Sequence, residues 1–362
     1  MPPSREPAHT PLYLAAVGLK KQLAAGINEP RLQYPLQALA RLPGVHCVWG
    51  EGGLSIPPDF KPGVLMLNRQ FMTDPPLLQA LERKVREGWL LVADMDDDPM
   101  HWPAYEASGF LAFKGVHAVT VSTPELAKRI GVWNPHIAVL PNALPTITAA
   151  PQPIPKNPER LRLFFGAINR HKDWSPVMSG ICAAAKALGK QVEWVVVHDQ
   201  AFHDALPADS IKTFHPTLAP ADYASVMATC DLALMPLADT AFNRCKSDVK
   251  LIEAAAAGVV PVCARVVYAD NPEHAKFAVF ADTPEEWAQA LTSACQHPDR
   301  LNQRALQAHT YAKTQRMHAQ QAPLRHALYV RWLAQRDVLE VDRQQRLQAM
   351  RSKALAAQGV NR

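Results

Sequence analysis

Apolar, β-rich runs alternate with helical patterns over most of this 362-residue chain. The apolar runs of the first half predict strands at Leu12–Val17, Val45–Trp49, Val64–Leu67, Leu90–Ala93, Ala118–Val121 and Ile137–Leu140. Helical segments such as Pro76–Glu87 and Pro124–Ile130 lie between them, the second with Thr123 as its N-cap. This alternation predicts a parallel sheet flanked by helices.

A Pro-rich segment without periodicity, residues 149–158, interrupts the pattern and is interpreted as an interdomain linker. The alternation then resumes, with strands predicted at Leu161–Phe165, Val192–Val197, Ile211–Phe214, Leu232–Met235 and Val259–Cys263. Helices are predicted at Pro176–Leu188, Pro220–Ala228, Asp248–Ala257 and Pro284–Cys295, the last with a Thr283/Glu286 capping box. The chain is therefore predicted to be an α/β protein of two Rossmann-like doubly wound domains, residues 1–148 and 159–320. Ligands of such sheets bind beyond the carboxyl ends of the strands, so we expect the site in a cleft that the two domains face.

The tail, residues 321–362, is predicted to be helical and basic. From His297 onward there are 12 Lys and Arg against 4 Asp and Glu, whereas the rest of the chain has 26 against 29. A body without a basic excess argues against a nucleic-acid partner. An apolar stripe at Ala327, Val330, Leu333 and Ala334 favours packing of the tail on the first domain. Contact of the basic tail with an anionic membrane surface is the alternative.

Composition indicates a cytoplasmic protein, with a peripheral position at the inner face of the membrane as the variant that the basic tail allows. No run of 18 apolar residues occurs, and Met1–Thr10 lacks the apolar core of a secretory signal. The six cysteines are scattered without a C-x-x-C pair, which is typical of buried thiols in a reducing compartment.

The sequence lacks the glycine-rich and catalytic motifs of several common enzyme classes. There is no Walker A loop, no G-x-G-x-x-G, no G-x-S-x-G and no H-E-x-x-H. His198 and His203 with their neighbouring aspartates have a spacing that occurs often by chance, so no metal site is expected. His198 ends a strand, and only a main-chain contact with a ligand is expected there.

Residues 243–264 carry the most informative pattern of the chain. A loop with cations, including Lys246, leads to Ser247 as the predicted N-cap of a helix. Free N–H groups, the helix dipole and the lysine charge together suit a diphosphate, although Asp248 in the first turn opposes an anion. Glu253 lies six residues beyond Ser247, about 9 Å along the axis, where its carboxylate could accept hydrogen bonds from a ribose diol. A solvated, well-capped amphipathic helix is the alternative interpretation.

The same stretch resembles the donor-site helix of GT-B glycosyltransferases, most closely the retaining family four and its "glycosyl transferases group one" relatives. The matching motifs are Asn243-x-x-Lys246-Ser247-x-x-Lys250-x-x-Glu253-Ala254 followed by Gly258 and Pro261-Val262, the turn Phe165–Arg170, the strand Asp231–Pro236, and Val119–Leu126, Leu140–Ala143 and Leu91–Asp98. They span about Leu90 to Val262 in the order that the family has. The resemblance implies a GT-B fold with a helical C-terminal tail and a hexosyltransferase activity with retention, without a metal or any cofactor beyond the nucleotide-sugar donor.

The resemblance also implies roles for individual residues. Gly166 would let the main chain approach the phosphates, and Glu253 would hold the ribose. Arg170 or Lys172, with Lys246, would neutralise the departing diphosphate, so that Lys246 and Arg170 are the catalytic candidates. The remaining donor-binding candidates are Asn243, Ser247 and Lys250. No side-chain nucleophile is implied.

The acceptor is expected on the first domain and is a glycan, a lipid-linked molecule or a small molecule. Asp96, Asp97 and Asp98 follow a predicted strand, and one of them could orient an acceptor hydroxyl, with Arg69 after a neighbouring strand. A surface loop whose aspartates cap the next helix is the alternative for this cluster.

The sequence departs from the family pattern at two places, and two other functions of the same architecture stay open. Cys245 stands where many members have a carboxylate, and the first loop, residues 18–27, lacks the usual glycine pair. One alternative is a nucleotide-sugar epimerase of the same fold. The other is a catalytically degenerate nucleotide-binding partner protein, which Cys245 favours.

Overall fold

The computed structural model describes residues 11–20, 26–147, 150–155 and 158–359, and from residue 353 onward it describes the backbone alone. The N-terminal stretch Met1–Thr10, residues 21–25 of the first loop, and residues 149, 156 and 157 of the predicted linker lie outside the described residues. The chain divides into two compact units. Unit 1 contains the residues up to Pro145 together with Cys245–Ser247 and the residues from His318 onward, and unit 2 contains Thr146–Arg244 and Asp248–Met317.

Unit 1 is built on a parallel sheet of six strands. The strands are β1 Leu12–Gly18, β2 Val45–Glu51, β3 Val64–Asn68, β4 Leu90–Met95, β5 Ala118–Val121 and β6 Ile137–Val139. Their order in the sheet is β2–β1–β3–β4–β5–β6. Every residue of β3, β4 and β5 is buried, as expected of parallel strands that are covered on both faces.

Short helices connect these strands, and two longer ones come from the tail. They are α1 Tyr34–Leu39, preceded by a π-helical turn at Glu29–Gln33, α2 Pro75–Arg86, α3 Pro103–Ala107, preceded by a 3₁₀ turn at Pro99–His101, α4 Leu111–Lys114, α5 Pro124–Gly131, α14 His318–Ala334 and α15 Arg336–Gly359. The predicted N-cap of α5 is present, because the Thr123 hydroxyl accepts a hydrogen bond from Leu126 N at 3.3 Å.

The tail supplies part of the hydrophobic core of unit 1. Leu328, Tyr329, Trp332 and Leu339 are buried in one cluster with residues of β1, β3 and β4. The predicted apolar stripe is wrong in register: Ala327, Val330 and Ala334 are exposed. The buried face of α14 carries two aromatic side chains and Arg325 instead, residues that an aliphatic stripe leaves out.

Arginines of α15 bind unit 1 itself. The Arg343 guanidinium is buried, contacts the Glu82 carboxylate at 2.7 Å and donates to the Gly115 carbonyl at 3.2 Å. Arg346 donates to the Val116 carbonyl at 2.7 Å. A large part of the positive charge of the tail is therefore used to dock its helices. Within the described part of the chain, no helix is both long and apolar enough to cross a membrane.

Unit 2 repeats the architecture with a second parallel sheet of six strands. The strands are β7 Leu161–Gly166, β8 Val192–Val197, β9 Ile211–His215, β10 Leu232–Met235, β11 Val260–Cys263 and β12 Val279–Phe280. Their order is β12–β11–β10–β7–β8–β9. The two sheets and the helical tail confirm the predicted pair of Rossmann-like, doubly wound domains.

The helices of unit 2 cover both faces of its sheet. They are α6 His171–Trp174, α7 Met178–Leu188, α8 Gln200–Ala205, α9 Pro220–Met227, α10 Ala241–Arg244, α11 Val249–Ala256, α12 Pro284–Cys295 and α13 Pro298–Gln315, with 3₁₀ turns at Ser175–Val177, Gly189–Gln191 and Pro272–Lys276. Trp194 and Trp287 are fully buried in the core, where the rings of Phe165 and Phe202 stack at 3.7 Å.

Candidate functional site

The carboxyl end of β7 brings side chains from three other elements of unit 2 together, a group that we call the Gly166 cluster: Gly166, His198, Tyr223, Lys250 and Glu253. The Gly166 carbonyl accepts hydrogen bonds from the Tyr223 hydroxyl at 3.1 Å and from Lys250 Nζ at 2.6 Å. A Cβ atom on residue 166 would lie 2.5 Å from the Tyr223 ring and 2.7 Å from the Phe164 ring. Glycine is therefore required at this position by packing alone.

Glu253 lies one turn after Lys250 on α11. Burial raises the pKa of its carboxyl to about 7, although the nearby Lys250 ammonium opposes the shift. Both its protonated and its ionised form are therefore well populated near neutral pH. A half-buried carboxylate at this place can accept hydrogen bonds from hydroxyl groups of a ligand.

His198 joins the cluster at the end of β8, although the sequence pattern assigned it no side-chain role. Its φ of +73° is unusual for a residue other than glycine, and its ring stacks on Tyr223 at 5.5 Å. Its Nδ1 is buried and has no hydrogen-bond partner within the described residues. Burial and the Lys250 charge lower the pKa of His198, which favours the neutral imidazole.

A second network holds α10, the short helix that leads into the loop before α11. Asn243 Nδ2 donates to the Asp173 carboxylate at 2.7 Å, and its Oδ1 accepts from Arg170 at 3.3 Å. Arg170 also pairs with Asp173 at 3.0 Å. Asn243 is thus a positioning residue for this loop, whereas Arg170 keeps about a quarter of its side chain exposed. Lys172 on α6 is exposed.

The start of α11 differs from the prediction. The helix begins at Val249 after Asp248, and Ser247 is not its N-cap, because the Ser247 hydroxyl accepts from Asn142 Nδ2 at 2.7 Å. The Asp248 carboxylate is paired in two contacts with the Arg316 guanidinium, one of them at 2.7 Å. The negative charge that would oppose an anion at this helix end is therefore compensated.

In unit 1 the loop after β4 forms what we call the Asp97 cluster: Arg69, Asp96, Asp97 and Lys246. Arg69 donates to Asp96 at 2.7 Å, and Lys246 Nζ lies 3.2 Å and 3.3 Å from the two oxygens of Asp97. All four side chains are between 12% and 17% exposed, which leaves them reachable from solvent. Lys246, grouped by its sequence position with the second domain, is here held by a carboxylate of unit 1.

Asp98 has a structural role. One of its oxygens accepts from Met100 N at 3.1 Å, which caps the 3₁₀ turn, and the other pairs with Arg129 at 2.8 Å. Of the two interpretations of the aspartate cluster, helix capping thus describes Asp98.

Cys245 belongs to the core of unit 1. Its side chain is fully buried among apolar residues, and its carbonyl accepts from the Thr123 hydroxyl at 3.2 Å. A carboxylate at position 245 would be buried near Asp97 and Asp98, and the nearby Arg129 already pairs with Asp98, so its burial would be costly. The departure from the family pattern at this position therefore has a packing explanation.

Comparison with known proteins adds the family context. Residues 180–328, less than half of the chain, match the sequence model of a family described as glycosyl transferase-like. The fold is similar to that of HepE from Anabaena, with a TM-score of 0.62 and 13% identity over 87% of this chain and 99% of that one. The chain therefore has the GT-B fold.

Two further solved structures have a similar fold. WaaG, a glycosyltransferase involved in lipopolysaccharide biosynthesis, has 16% identity and a TM-score of 0.56 over 87% of this chain and 98% of that one. Sucrose-phosphate synthase from Thermosynechococcus elongatus has 12% identity and a TM-score of 0.58 over 89% and 99%. No curated protein sequence matches this chain significantly.

The family match includes Lys246, Ser247, Lys250 and Glu253 but begins after Gly166, so the turn after β7 is placed by the structure alone. Sequence reasoning missed a buried ion pair of unit 1, in which Arg31 binds both oxygens of Asp94, at 3.0 Å and 2.7 Å. The signal for it was a single carboxylate inside an otherwise apolar strand. No group of three His, Cys, Asp or Glu in the described part of the chain could hold a metal ion.

Proposed function

We propose that this protein is a glycosyltransferase that moves a sugar from a nucleoside-diphosphate sugar to a hydroxyl of its acceptor, with retention and with cationic side chains in place of a metal. The observation that carries the proposal is the Gly166 cluster, which sets a lysine and a carboxylate beside a strand end in unit 2. Crystal structures of HepE contain UDP-glucose, and UDP with glucose, which supports a donor of this chemical class.

Donor binding follows from the spacing along α11. The first N–H groups of the helix and Lys250 suit the diphosphate, since Arg316 compensates Asp248. Glu253 lies four residues beyond Val249, about 6 Å along the axis, and accepts hydrogen bonds from the ribose hydroxyls. Arg170 and the exposed Lys172 provide further positive charge after β7.

Catalysis is proposed to be electrostatic. The bond between the anomeric carbon and the diphosphate oxygen breaks, a bond to the acceptor oxygen forms on the same face, and the acceptor proton passes to the departing diphosphate. Negative charge grows on the diphosphate during this step, so fixed cations stabilise the transition state more than the ground state. Lys246 and Arg170 are assigned this role.

The Asp97 cluster is proposed to face the acceptor. Asp97 and Asp96 can accept a hydrogen bond from an acceptor hydroxyl, and Arg69 can bind an anionic group on the same molecule. Because both oxygens of Asp98 are engaged in unit 1, Asp98 is assigned to support of this loop. The acceptor is a glycan, a lipid-linked molecule or a small molecule.

Thermal shift with UDP, GDP and ADP and their sugars tests the donor assignment. One nucleotide is expected to raise the melting temperature according to RT ln(1 + [L]/Kd). Incubation with the cognate sugar nucleotide should then give slow hydrolysis in the absence of acceptor. Epimerised sugar would support the epimerase alternative, and no stabilisation by any nucleotide at millimolar concentration would refute the donor site.

Lys246→Ala tests the catalytic assignment. Removal of one charge that stabilises a developing oxyanion is expected to lower kcat by about 10²–10³-fold. Lys128→Ala is the matched control, because Lys128 is 77% exposed on α5 of the same unit. Both variants should keep the melting temperature of the parent protein. Wild-type turnover in Lys246→Ala would remove Lys246 from the mechanism.

A further inference from the structure

A cavity of about 320 Å³ lies on unit 2, outside the Gly166 cluster. Its walls are the edge strand β12, helix α12 and the first turns of α13. Strand β12 is separated from β7 by β11 and β10, which corresponds to about 14 Å at the usual strand spacing. The cavity therefore shares no residue with the proposed donor site.

Three arginines line this cavity, and their charges are compensated unequally. Arg265 pairs with Asp282 at 2.7 Å and with Glu286 at 2.8 Å. Arg300 and Arg304, one turn apart on α13, have no carboxylate within salt-bridge distance in the described part of the chain. The cavity thus combines two uncompensated guanidinium groups with one carboxylate that is already paired.

The local structure holds Arg304 in this position. Its Nη1 donates to the Ala278 carbonyl at 2.7 Å, next to the edge strand. Arg300 and Arg304 lie four residues apart on α13 and line the same cavity, and burial together with the Arg300 charge lowers the pKa of Arg304. Like charges four residues apart on a helix are unfavourable, and a bound anion would offset that cost.

We infer that this cavity is a second ligand site, one that binds a phosphate group. Guanidinium groups form paired hydrogen bonds with phosphate oxygens, and two of them at one cavity favour a phosphomonoester or phosphodiester over a carboxylate. Val279, Phe280 and Leu301 give the cavity an apolar side against which the rest of the ligand can pack. The phosphate belongs either to a soluble molecule or to a lipid headgroup.

The inference also accounts for part of the basic C-terminal region. Arg316 and Arg343 are engaged by carboxylates, and Arg346 donates to main-chain carbonyls. Arg300 and Arg304 lie in the same basic region but face a cavity. Carboxylates compensate the charges of Arg316 and Arg343, whereas the charges of Arg300 and Arg304 lie at a cavity that a ligand can enter.

Two arms distinguish the sources of the phosphate. The first measures stabilisation by inorganic phosphate at constant ionic strength, and the second measures sedimentation with phosphatidylglycerol vesicles against phosphatidylcholine vesicles. Arg300→Ala/Arg304→Ala is expected to weaken binding at least tenfold in one arm. Arg331→Ala/Arg351→Ala, which removes two exposed charges of the tail, is expected to bind like the wild type.

Arg300→Ala alone guards against a folding defect, because Arg300 is exposed and its removal leaves the Arg304 contact with Ala278 in place. Weaker binding of inorganic phosphate by the Arg300→Ala/Arg304→Ala variant identifies a soluble ligand. Weaker binding of this variant to phosphatidylglycerol vesicles identifies a lipid headgroup. Equal binding by the wild type and the Arg300→Ala/Arg304→Ala variant in both arms, or no binding by the wild type in either, would overturn the inference. Phosphate bound at the Gly166 cluster contributes equally to all variants and cancels in the comparison.

Discussion

The main-chain carbonyl of Gly166 receives hydrogen bonds from two helices, through Tyr223 of α9 and Lys250 of α11. The family resemblance implied a close approach of the main chain to phosphates at this residue. The structure shows that two aromatic rings already exclude any side chain at this position. The residue type was therefore predictable from the motif, but the reason for it required the packing of Tyr223, which no local pattern indicates.

We expect Gly166→Ala to lower the free energy of unfolding by about 1–3 kcal/mol, because the new methyl group displaces the Tyr223 ring. The same displacement should weaken nucleotide binding through Lys250. Gly131→Ala, in α5, is the control, since a Cβ there meets nothing within 4 Å. This control should be neutral or stabilising by up to about 1 kcal/mol. Urea denaturation measures both, and equal midpoints for the two variants would contradict the packing argument.

Helix α11 carries Glu253, whose ionisation should make the stability of the protein depend on pH. The pKa of Glu253 is raised by burial from its ordinary value of 4.5 to about 7. Because the folded protein holds this proton more tightly than the unfolded chain, the stability that Glu253 contributes is greatest below pH 4.5 and falls as the pH rises to 7. Glu253→Gln should remove this part of the pH dependence.

Nucleotide binding should depend on pH in the opposite direction. Only the ionised carboxylate accepts hydrogen bonds from both ribose hydroxyls, so the binding-competent fraction rises with pH. For a pKa of about 7, the affinity should increase about tenfold between pH 6 and pH 8. Calorimetric titration of the cognate nucleoside diphosphate measures this change. Glu253→Gln should bind more weakly and without the pH trend, and a persistent trend in this variant would assign it to another group.

Capping shows which helix ends can be predicted from sequence. Thr123 and Thr283 were predicted as N-caps, and both accept a hydrogen bond from a main-chain N–H three residues later. Ser247 has an equivalent hydroxyl group, but this hydroxyl accepts a hydrogen bond from Asn142, which is distant in sequence. The contact of Lys246 was likewise not predictable from neighbouring residues, because its partner Asp97 is 149 residues away. Local signals therefore predicted the elements, while tertiary contacts decided how the site residues are used.

At the scale of the whole molecule, the helices of the tail contribute buried side chains to the hydrophobic core of unit 1. The alternation of strands and helices was sufficient to predict both sheets, although the two-residue strand β12 was too short to show a pattern. The register of α14 was not predictable from aliphatic residues, because Tyr329, Trp332 and the buried Arg325 form its inner face. These three are amphipathic side chains, which periodicity places on a surface as readily as in a core.

Trp332→Ala should destabilise unit 1 by about 3–5 kcal/mol, the usual cost of removing a buried aromatic side chain. Arg331→Ala, at the neighbouring exposed position, is the control and should change stability by less than about 0.5 kcal/mol. Hydrogen exchange measured strand by strand should show the loss of protection in β1, β3 and β4 and not in the sheet of unit 2. A uniform loss in both sheets would show that the two units unfold as one.

The docking of α14 and α15 on β1 also sets the order in which the chain can fold during synthesis. Strand β1 begins at Leu12, but the core that covers it is completed only by residues up to Leu339. All residues of unit 2 leave the ribosome before that point. Unit 2 can therefore finish folding first, whereas the core of unit 1 stays incomplete until the tail has been synthesised. Nascent chains stalled near residue 317 should accordingly expose the apolar surface that α14 covers.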